Sequence, residues 1–381
     1  MKVVLIINNP KFLISHRLEL CLSLKDKYGD VTVITSDGDG INDLKKYGFK
    51  VEKLNFLRKK TNVFYEMYIL FRMVIILGKI KPDLVHCVTM KPIIYGGIAA
   101  RFLGIKSVLF SIAGLGIIFS SARLKYKAVR LVIEPLLKFV FSHGNVAVIF
   151  QNKSDSKLLI ERNVVKKHFC FWIDGSGIDT RTVDYVDEPV GTPVVTFASR
   201  LLKDKGILDF IEAIKILIEN NVIAEFWIIG DEDPYNPNSI SVRSLKRIFS
   251  NERVAFLGFR KDVIKLFQHS NIVVFPSYYG EGLPKVLIEA AAVGRAVVTT
   301  DHPGCRDAVI EGETALLVPV KQPTHLANAI KCLIDDNELR KNFGANARDM
   351  ALRRFDVKLV VEQHIKIYEE LLLHGDNTVI R

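Results

Sequence analysis

Four side chains in the C-terminal half of this 381-residue sequence have the types and the spacing to grip an anion. Arg200 and Lys205 stand in the turn SRLLKDKG, which follows the apolar run 194–198 and ends at Gly206. An arginine offers a planar fork and a lysine a point charge; at the mouth of a cleft the two suit a diphosphate, although solvated charges beside a glycine turn would read the same. Glu281 and Glu289 lie in SYYGEGLPKVLIEAAAVG, the first in a Gly-rich turn and the second further along a helical pattern. If the residues between them are mostly helical, their carboxylates stand roughly 12 Å apart along the axis, the reach of a sugar nucleotide from its ribose to its hexose. Gly280 and Gly282 make a flexible turn, and Pro284 fits the first turn of a helix. The N–H groups of Gly282, Leu283 and Lys285 are then expected to face an anion. Glu289 precedes a small apolar face, Ala290 to Val293, against which a carboxylate needs a partner.

The elements that must position these residues are strands alternating with helices. Apolar, β-branched runs occur at 3–7, 31–35, 84–88, 107–110 and 146–150, with helix-like stretches at 17–28 and 96–103 between them. The pattern restarts at 194–198, followed by a helix near 208–219 and strand-like runs at 225–229, 253–256, 272–275, 296–299 and 315–318. Continuous apolar runs with helical connections predict parallel sheets covered on both faces, and so an α/β chain of two doubly wound, Rossmann-like domains. The join is expected at 179–192, where Asp, Glu, Pro and Gly replace the apolar runs. This gives domains at 1–180 and 192–356, with a closing helix at 357–376 expected to pack back on the first. Ligands of such sheets sit at the carboxyl ends of the strands, so two domains facing one another predict a central cleft.

Charge separates the halves. Residues 1–150 hold 23 Lys/Arg against 10 Asp/Glu, and residues 151–381 hold 30 against 32, so the net +11 comes from the first half. Such an excess points to an anionic partner. The segment 123–141 mixes cations with large apolar residues, as an interfacial helix does, while 64–77 is apolar but carries Glu66 and Arg72 and is too short to span a bilayer. Both could equally be packing helices with solvated faces. No nucleic-acid-binding signature is visible, which favours an anionic membrane face over nucleic acid. The five cysteines form no CxxC pair or zinc spacing, and no signal-peptide pattern opens the sequence, so a cytoplasmic protein, peripheral on the inner face of the cell membrane, is expected.

Taken together, EGLPKVLIE, ASRLLKDKG and GFRKDV at 258–263 resemble the C-terminal domain of retaining glycosyltransferases of family 4, which have the GT-B fold. FLISHRLELCLSL at 12–24, KPDLVHCVTMKPIIYGGIAAR at 81–101 and SIAGLGIIF at 111–119 resemble the branch that builds capsule and O-antigen glycans on undecaprenyl diphosphate. The resemblance covers nearly the whole chain. It implies a nucleotide diphosphate sugar as donor, UDP-linked with GDP as the alternative, and an undecaprenyl-diphosphate-linked acceptor, with no cofactor. It further implies that Ser199, Arg200 and Lys205 bind the donor diphosphate, Glu289 the ribose hydroxyls and Glu281 the transferred sugar. Gly282, Leu283 and Pro284 match the phosphate-binding turn, and Phe259 with Arg260 the edge on which the nucleobase rests. On the acceptor side it implies Asn9, His16, Arg17, Thr89, Lys91, Gly114 and Gly116. This chain departs from many relatives in carrying Asn8-Asn9-Pro10 where they have paired glycines, and Ser111 to Gly114 where they have a histidine after the fifth strand; His16 is a candidate to compensate, or a structural residue at a helix start.

The mechanism implied is transfer with retention, in which Arg200, Lys205 and a helix N-terminus stabilise the departing diphosphate and no protein base is obligatory. Asp37-Gly38-Asp39 and Asp231-Glu232-Asp233 fit a DxD pattern used by metal-dependent transferases of another fold, but such carboxylates commonly form turns, and no metal is expected. Two alternatives share the architecture: a sugar-nucleotide epimerase, and a membrane-docked subunit that binds a nucleotide sugar without catalysis.

Overall fold

The computed structural model describes residues 1–56, 62–120, 123–234 and 236–374. The chain divides into two compact units, Met1–Ser176 with Lys358–Arg381, and Gly177–Val357.

The first unit is built on strands β1 (Lys2–Ile7), β2 (Asp30–Thr35), β3 (Lys50–Lys53), β4 (Leu84–Val88), β5 (Ser107–Ile112), β6 (Val146–Phe150) and β7 (Cys170–Trp172). Its helices are α1 (Pro10–Tyr28), α2 (Ile41–Lys46), α3 (Val63–Ile80), α4 (Met90–Phe102), α5 (Gly116–Ser120), α6 (Leu124–Phe141) and α7 (Lys153–Glu161). All pairings are parallel, in the order β3-β2-β1-β4-β5-β6-β7. β4, β5 and β6 are buried along their whole length, which is why they read as unbroken apolar runs.

Several boundaries differ from the sequence reading. The helix read at 17–28 starts at Pro10, because Asn9 caps it by accepting from Phe12 N at 3.2 Å and proline suits the first turn. His16 therefore lies in the second turn of α1 and not at a helix start. The stretch read at 96–103 belongs to the longer α4. Its glycines are there for close packing: a Cβ on Gly96 would lie 2.4 Å from Cys87 Sγ, and one on Gly97 2.2 Å from Val140 Cγ1. β5 continues to Ile112, so Ser111 is a strand residue.

The second unit carries β8 (Val194–Ala198), β9 (Glu225–Ile229), β10 (Val254–Gly258), β11 (Ile272–Phe275), β12 (Ala296–Thr300) and β13 (Ala315–Val318). Its helices are α8 (Ile207–Glu219), α9 (Val242–Ile248), α10 (Val263–Gln268), α11 (Lys285–Val293), α12 (Pro323–Asp335) and α13 (Asn337–Met350). The sheet is again parallel, in the order β10-β9-β8-β11-β12-β13. The stretch 179–192 is part of this unit. It is held there by two buried arginines. Arg295, 1% exposed, donates to the carbonyls of Val186, Phe267 and Gln268, and Arg340 forms a two-pronged pair with Glu188 at 2.8 and 2.9 Å. A polar, proline-containing composition therefore marks a strapped segment here.

Helix α14 (Val357–His374) returns to the first unit. Tyr368 OH lies 2.7 Å from His86 Nδ1 on β4, whose Nε2 lies 2.7 Å from Ser111 Oγ, and Leu371 O accepts from Ser107 Oγ at 2.9 Å. His364 Nδ1 sits 2.7 Å from Val360 O, a carbonyl that can only accept, so Nε2 is the nitrogen left to face Arg17 Nη1 at 3.5 Å. Burial pulls the Arg17 guanidinium down to about 10 and the His364 imidazole down to about 3, and burial likewise holds His86 neutral.

Candidate functional site

In an open parallel sheet the ligand site lies beyond the carboxyl ends of the strands where the winding reverses. In the second unit that point is between β8 and β11. The loop after β8 carries Ser199, Arg200 and Lys205; the loop after β11 carries Ser277 to Pro284. One glycine lets these loops meet, and a second, after β9, lets its own loop close on Ser199. Gly206, at φ +78°, has no room for a Cβ, which would lie 2.1 Å from Pro276 O, and a Cβ on Gly230 would lie 1.8 Å from Ser199 O. Lys205 closes a single 3₁₀ turn, Lys203–Lys205, stopped by Gly206 in a left-handed conformation.

The turn places Lys205 Nζ against Glu281 Oε1 in a direct ion pair, with side chains 10% and 13% exposed. Ser277 Oγ donates to the same carboxylate oxygen at 3.1 Å. The ammonium also lies over Phe275 and Tyr279, 5.4 and 5.1 Å from the ring centroids. Arg200 is more open, 48% exposed, and its Nη1 donates to Asp233 Oδ2 at 2.7 Å. The two cations read from the sequence thus share the loop after β8, and each carries a carboxylate partner that spacing could not reveal: Lys205 and Glu281 are 76 positions apart.

Pro284 does not lie within the helix. It is the N-cap of α11, at φ −64° and ψ 123°, so that only Lys285 onward is helical. The separation of roughly 12 Å between Glu281 and Glu289 rests on a mostly helical interval, and of that interval only the part from Lys285 onward is helical. Proline disfavours helical backbone at the residue before it, so Leu283 could not join the helix. Leu283 itself is buried, its side chain packed in the core with Leu287 and Ile288. Glu289 finds its partner one turn back, Lys285 Nζ at 3.5 Å; burial nevertheless pushes its carboxyl up from the ordinary range. Phe259 stands 68% exposed after β10, and Arg260 pairs with Asp262 through two bonds, which hold that carboxyl down at about 2.

A third loop, which carries none of the motifs read from the sequence, joins the cluster. His302 to Asp307 follow β12, and a Cβ on Gly304 would lie 2.5 Å from Gly282 O and 2.8 Å from Glu281 O. Thr300 Oγ1 donates to Ser277 O, fixing β12 to the β11 loop. Burial lowers the His302 imidazole pKa, with Glu281 acting in the opposite sense. The signal available in the sequence was a Pro-Gly turn directly after an apolar run.

The corresponding point in the first unit lies between β1 and β4. Asn9 and Thr89 follow these two strands. Asn9 is spent as a helix cap. Thr89 caps α4 at φ +73°, a strained conformation for a β-branched residue, and its buried Oγ1 has no hydrogen-bond partner. Lys91 bonds Glu66 on α3 at 2.8 Å, and Tyr95 OH donates to the other oxygen of Glu66. Gly114 and Gly116 take φ +98° and +64°, and Asp155 accepts from Leu115 N at 3.1 Å between them. His16 stacks on Phe12 at 4.2 Å, with Nδ1 2.7 Å from Ser15 Oγ. Arg17, also named from the sequence on the acceptor side, lies inward. It is 3% exposed and turned toward His364, so it supports α14 and is not presented to a ligand.

The two DxD patterns are engaged otherwise: Asp37 pairs with Lys53, Asp39 with Lys11 and Asp233 with Arg200. Among the described residues no group of three His, Cys, Asp or Glu side chains stands together as metal ligands do.

Comparison with known proteins adds to this geometry. The family model for glycosyl transferases group 1 matches residues 184–350, and that for glycosyl transferase 4-like domains matches residues 2–152. The sequence is 28% identical over 369 residues to the N,N'-diacetylbacillosaminyl-diphospho-undecaprenol alpha-1,3-N-acetylgalactosaminyltransferase of Campylobacter jejuni, covering 93% of this chain and 95% of that one. It is 25% identical to the capsular polysaccharide biosynthesis glycosyltransferase CapM of Staphylococcus aureus, covering 93% of each. Anabaena HepE, solved with UDP and glucose, superposes with a TM-score of 0.78 at 20% identity, over 97% of this chain and 99% of that one.

Proposed function

Because the chain belongs to glycosyltransferase family 4 and folds as GT-B, we propose that it moves a hexose or N-acetylhexosamine from a nucleotide diphosphate sugar to a lipid-diphosphate-linked glycan of a bacterial surface polysaccharide. The observation that carries this reading is the Lys205–Glu281 pair at the β8/β11 switch point, with Arg200 on the same strand-to-helix loop as Lys205. The full-length similarity to transferases named for undecaprenol-linked and capsular glycans supports the acceptor class.

In this reading the donor diphosphate lies against Arg200 and Lys205 at the N-terminal end of α11. Arg200 exchanges part of its bond with Asp233, and Lys205 shares its charge between Glu281 and a phosphate oxygen. The bond from the anomeric carbon to the phosphate oxygen breaks, the acceptor oxygen bonds to that carbon on the same face, and its proton passes to the departing phosphate. The configuration is therefore retained. The positive groups are in place before charge develops, which is the economical form of electrostatic catalysis. Glu281 orients sugar hydroxyls, Glu289 accepts from the ribose, and Phe259 with Arg260 flanks the base. No metal takes part, since the two cations supply the charge that a metal would otherwise bring. Thr89, Lys91 and the Gly114–Gly116 turn serve the acceptor. The basic first half docks on an anionic leaflet at the inner face of the membrane, where α6 presents Lys125 and Lys127 beside exposed Leu124, Leu131 and Val132. Among the described residues no helix is long and apolar enough to cross a membrane.

The test is to incubate the protein with UDP- and GDP-sugars and undecaprenyl-diphosphate-linked acceptors, with and without a chelator, and to assign the product's anomeric configuration by NMR. Transfer with retention in the chelator is the expected result. An inverted product removes the same-face mechanism, and activity restored only by added magnesium or manganese removes the metal-free reading.

A further inference from the structure

Helix α3 is apolar on both sides. Ile69, Met73, Ile76 and Leu77 face the core of the first unit. On the opposite side Phe64, Met67, Tyr68 and Phe71, at positions i, i+3, i+4 and i+7, form one outward stripe and are 83%, 63%, 51% and 63% exposed. A helix apolar all round is ordinarily buried all round. This one leaves roughly 500 Å² of large side chain uncovered, as much as the largest apolar patch on an ordinary soluble monomer. The sequence alone fits either a packing helix or a membrane-facing one; packing accounts for the inward face only.

What covers the stripe follows from its neighbours. Exposed Arg72 and Lys79 lie on the same helix. Helices α3 and α6 both pack on α4, and α6 carries exposed Lys125, Lys127 and Lys138 among its own exposed leucine and valine side chains. Apolar residues interleaved with cations fit a phospholipid leaflet, whose acyl boundary takes the rings and whose headgroups take the charges. A second protein surface would leave those cations to find partners one by one.

The stripe is also tied to the ligand edge of the unit. Glu66, beside Met67, holds Lys91 at 2.8 Å and accepts from Tyr95, so the first turns of α3 are bolted to the first turns of α4. Thr89, the α4 cap, ends β4 at the switch point. From this juxtaposition we infer that the outward face of α3 is a lipid-docking surface that seats in the headgroup–acyl boundary and brings the β4/α4 edge to the leaflet holding a lipid-linked acceptor. The choice of acceptor rests on the transferase reading; the docking surface itself does not.

The test uses the full chain and vesicles of phosphatidylethanolamine with phosphatidylglycerol, and of phosphatidylcholine alone. In flotation, Phe64→Ser/Phe71→Ser is expected to lose at least tenfold in binding to both, with its thermal midpoint and its turnover of a water-soluble short-chain acceptor unchanged. Lys125→Glu/Lys127→Glu is expected to lose binding to the anionic vesicles alone. Phe71→Trp should blue-shift on binding and be quenched by brominated lipid. Undiminished flotation of the serine variant, or a tryptophan that stays solvent-exposed on bound protein, overturns the inference. So does a wild-type dimer that the serine variant converts to monomer without loss of flotation. Flotation needs no sugar transfer, so a protein that docks as described but transfers nothing would count against the transferase reading alone.

Discussion

The first sheet is wound β3-β2-β1-β4-β5-β6-β7 and the second β10-β9-β8-β11-β12-β13, so each reverses once, between β1 and β4 in one unit and between β8 and β11 in the other. At the second reversal the loops present ion pairs: Lys205 with Glu281, Arg200 with Asp233. At the first they present caps and backbone, Asn9, Thr89 and the glycine turn held by Asp155, with one ion pair, Lys91 with Glu66, on the first turn of α4, while the arginine on α1 is turned inward to α14. The same topology thus supplies a place for a ligand without deciding its charge, and the loops decide it. The surfaces divide in the other direction, since the half rich in exposed apolar side chains on α3 and α6 also carries the cationic excess.

If the second reversal is the donor site, damage there should abolish chemistry and damage at the first should not. Lys205→Ala is expected to cut turnover by about 10²–10³-fold. It should also lower stability, by ~3–5 kcal/mol, because Glu281 is left buried without its cation. The paired change Lys205→Met/Glu281→Gln separates the two effects: the thermal midpoint should recover while turnover stays low, and recovery of both would show the pair to be merely structural.

In the first unit, Tyr368→Phe strands His86 Nδ1 and should cost about 1–3 kcal/mol in denaturant unfolding, with donor affinity unchanged. A weakened donor affinity in that variant would blur the division of labour drawn here.

Glu289 gives a pH dependence. Its folded pKa lies above the ordinary carboxylate value, so folding favours the protonated form and stability declines as pH rises through that raised value. A ribose hydroxyl needs the ionised form, and donor affinity should therefore strengthen over the same interval. Glu289→Gln should bind the donor about tenfold more weakly, the loss of a charge-assisted bond, with a flat profile read by calorimetry. A profile that stays sloped places the titration elsewhere.

The smallest effect is expected at Arg260→Ala, where an exposed pair with Asp262 is lost and donor affinity should change by no more than about threefold. The variant frees the Asp262 carboxyl from about 2, so the pair's contribution, present above the ordinary carboxylate range and lost as pH falls toward 2, should vanish from an acid titration.

Much of this was legible before any coordinates. Continuous apolar runs such as SVLF and VAVIF, with helical connections between them, read as strands buried on both faces, and motifs placed after such runs are expected at the ligand edge of a parallel sheet. Partnerships across long stretches of chain were not legible. Nothing local to Lys205 names Glu281, and nothing in HRLEL tells that its arginine faces a helix almost 350 positions later. Local rules also compete. The helix-like stretch reads from Gly96, whereas Gly96 and Gly97 sit mid-helix, where Cys87 and Val140 leave no room for a larger side chain. Pro284 reads as first-turn and serves as a cap. Both faces of α3 carry large apolar side chains, so periodicity could not say that only one would be covered.

The return of α14 has a practical corollary. Tyr368 and Leu371 supply hydrogen-bond partners to β4 and β5, so a gene fragment ending after Ser176 would encode a sheet missing its last piece. Making that half by itself calls for a rearranged reading frame, in which the closing eighteen-residue helix is spliced by a short tether ahead of the first strand.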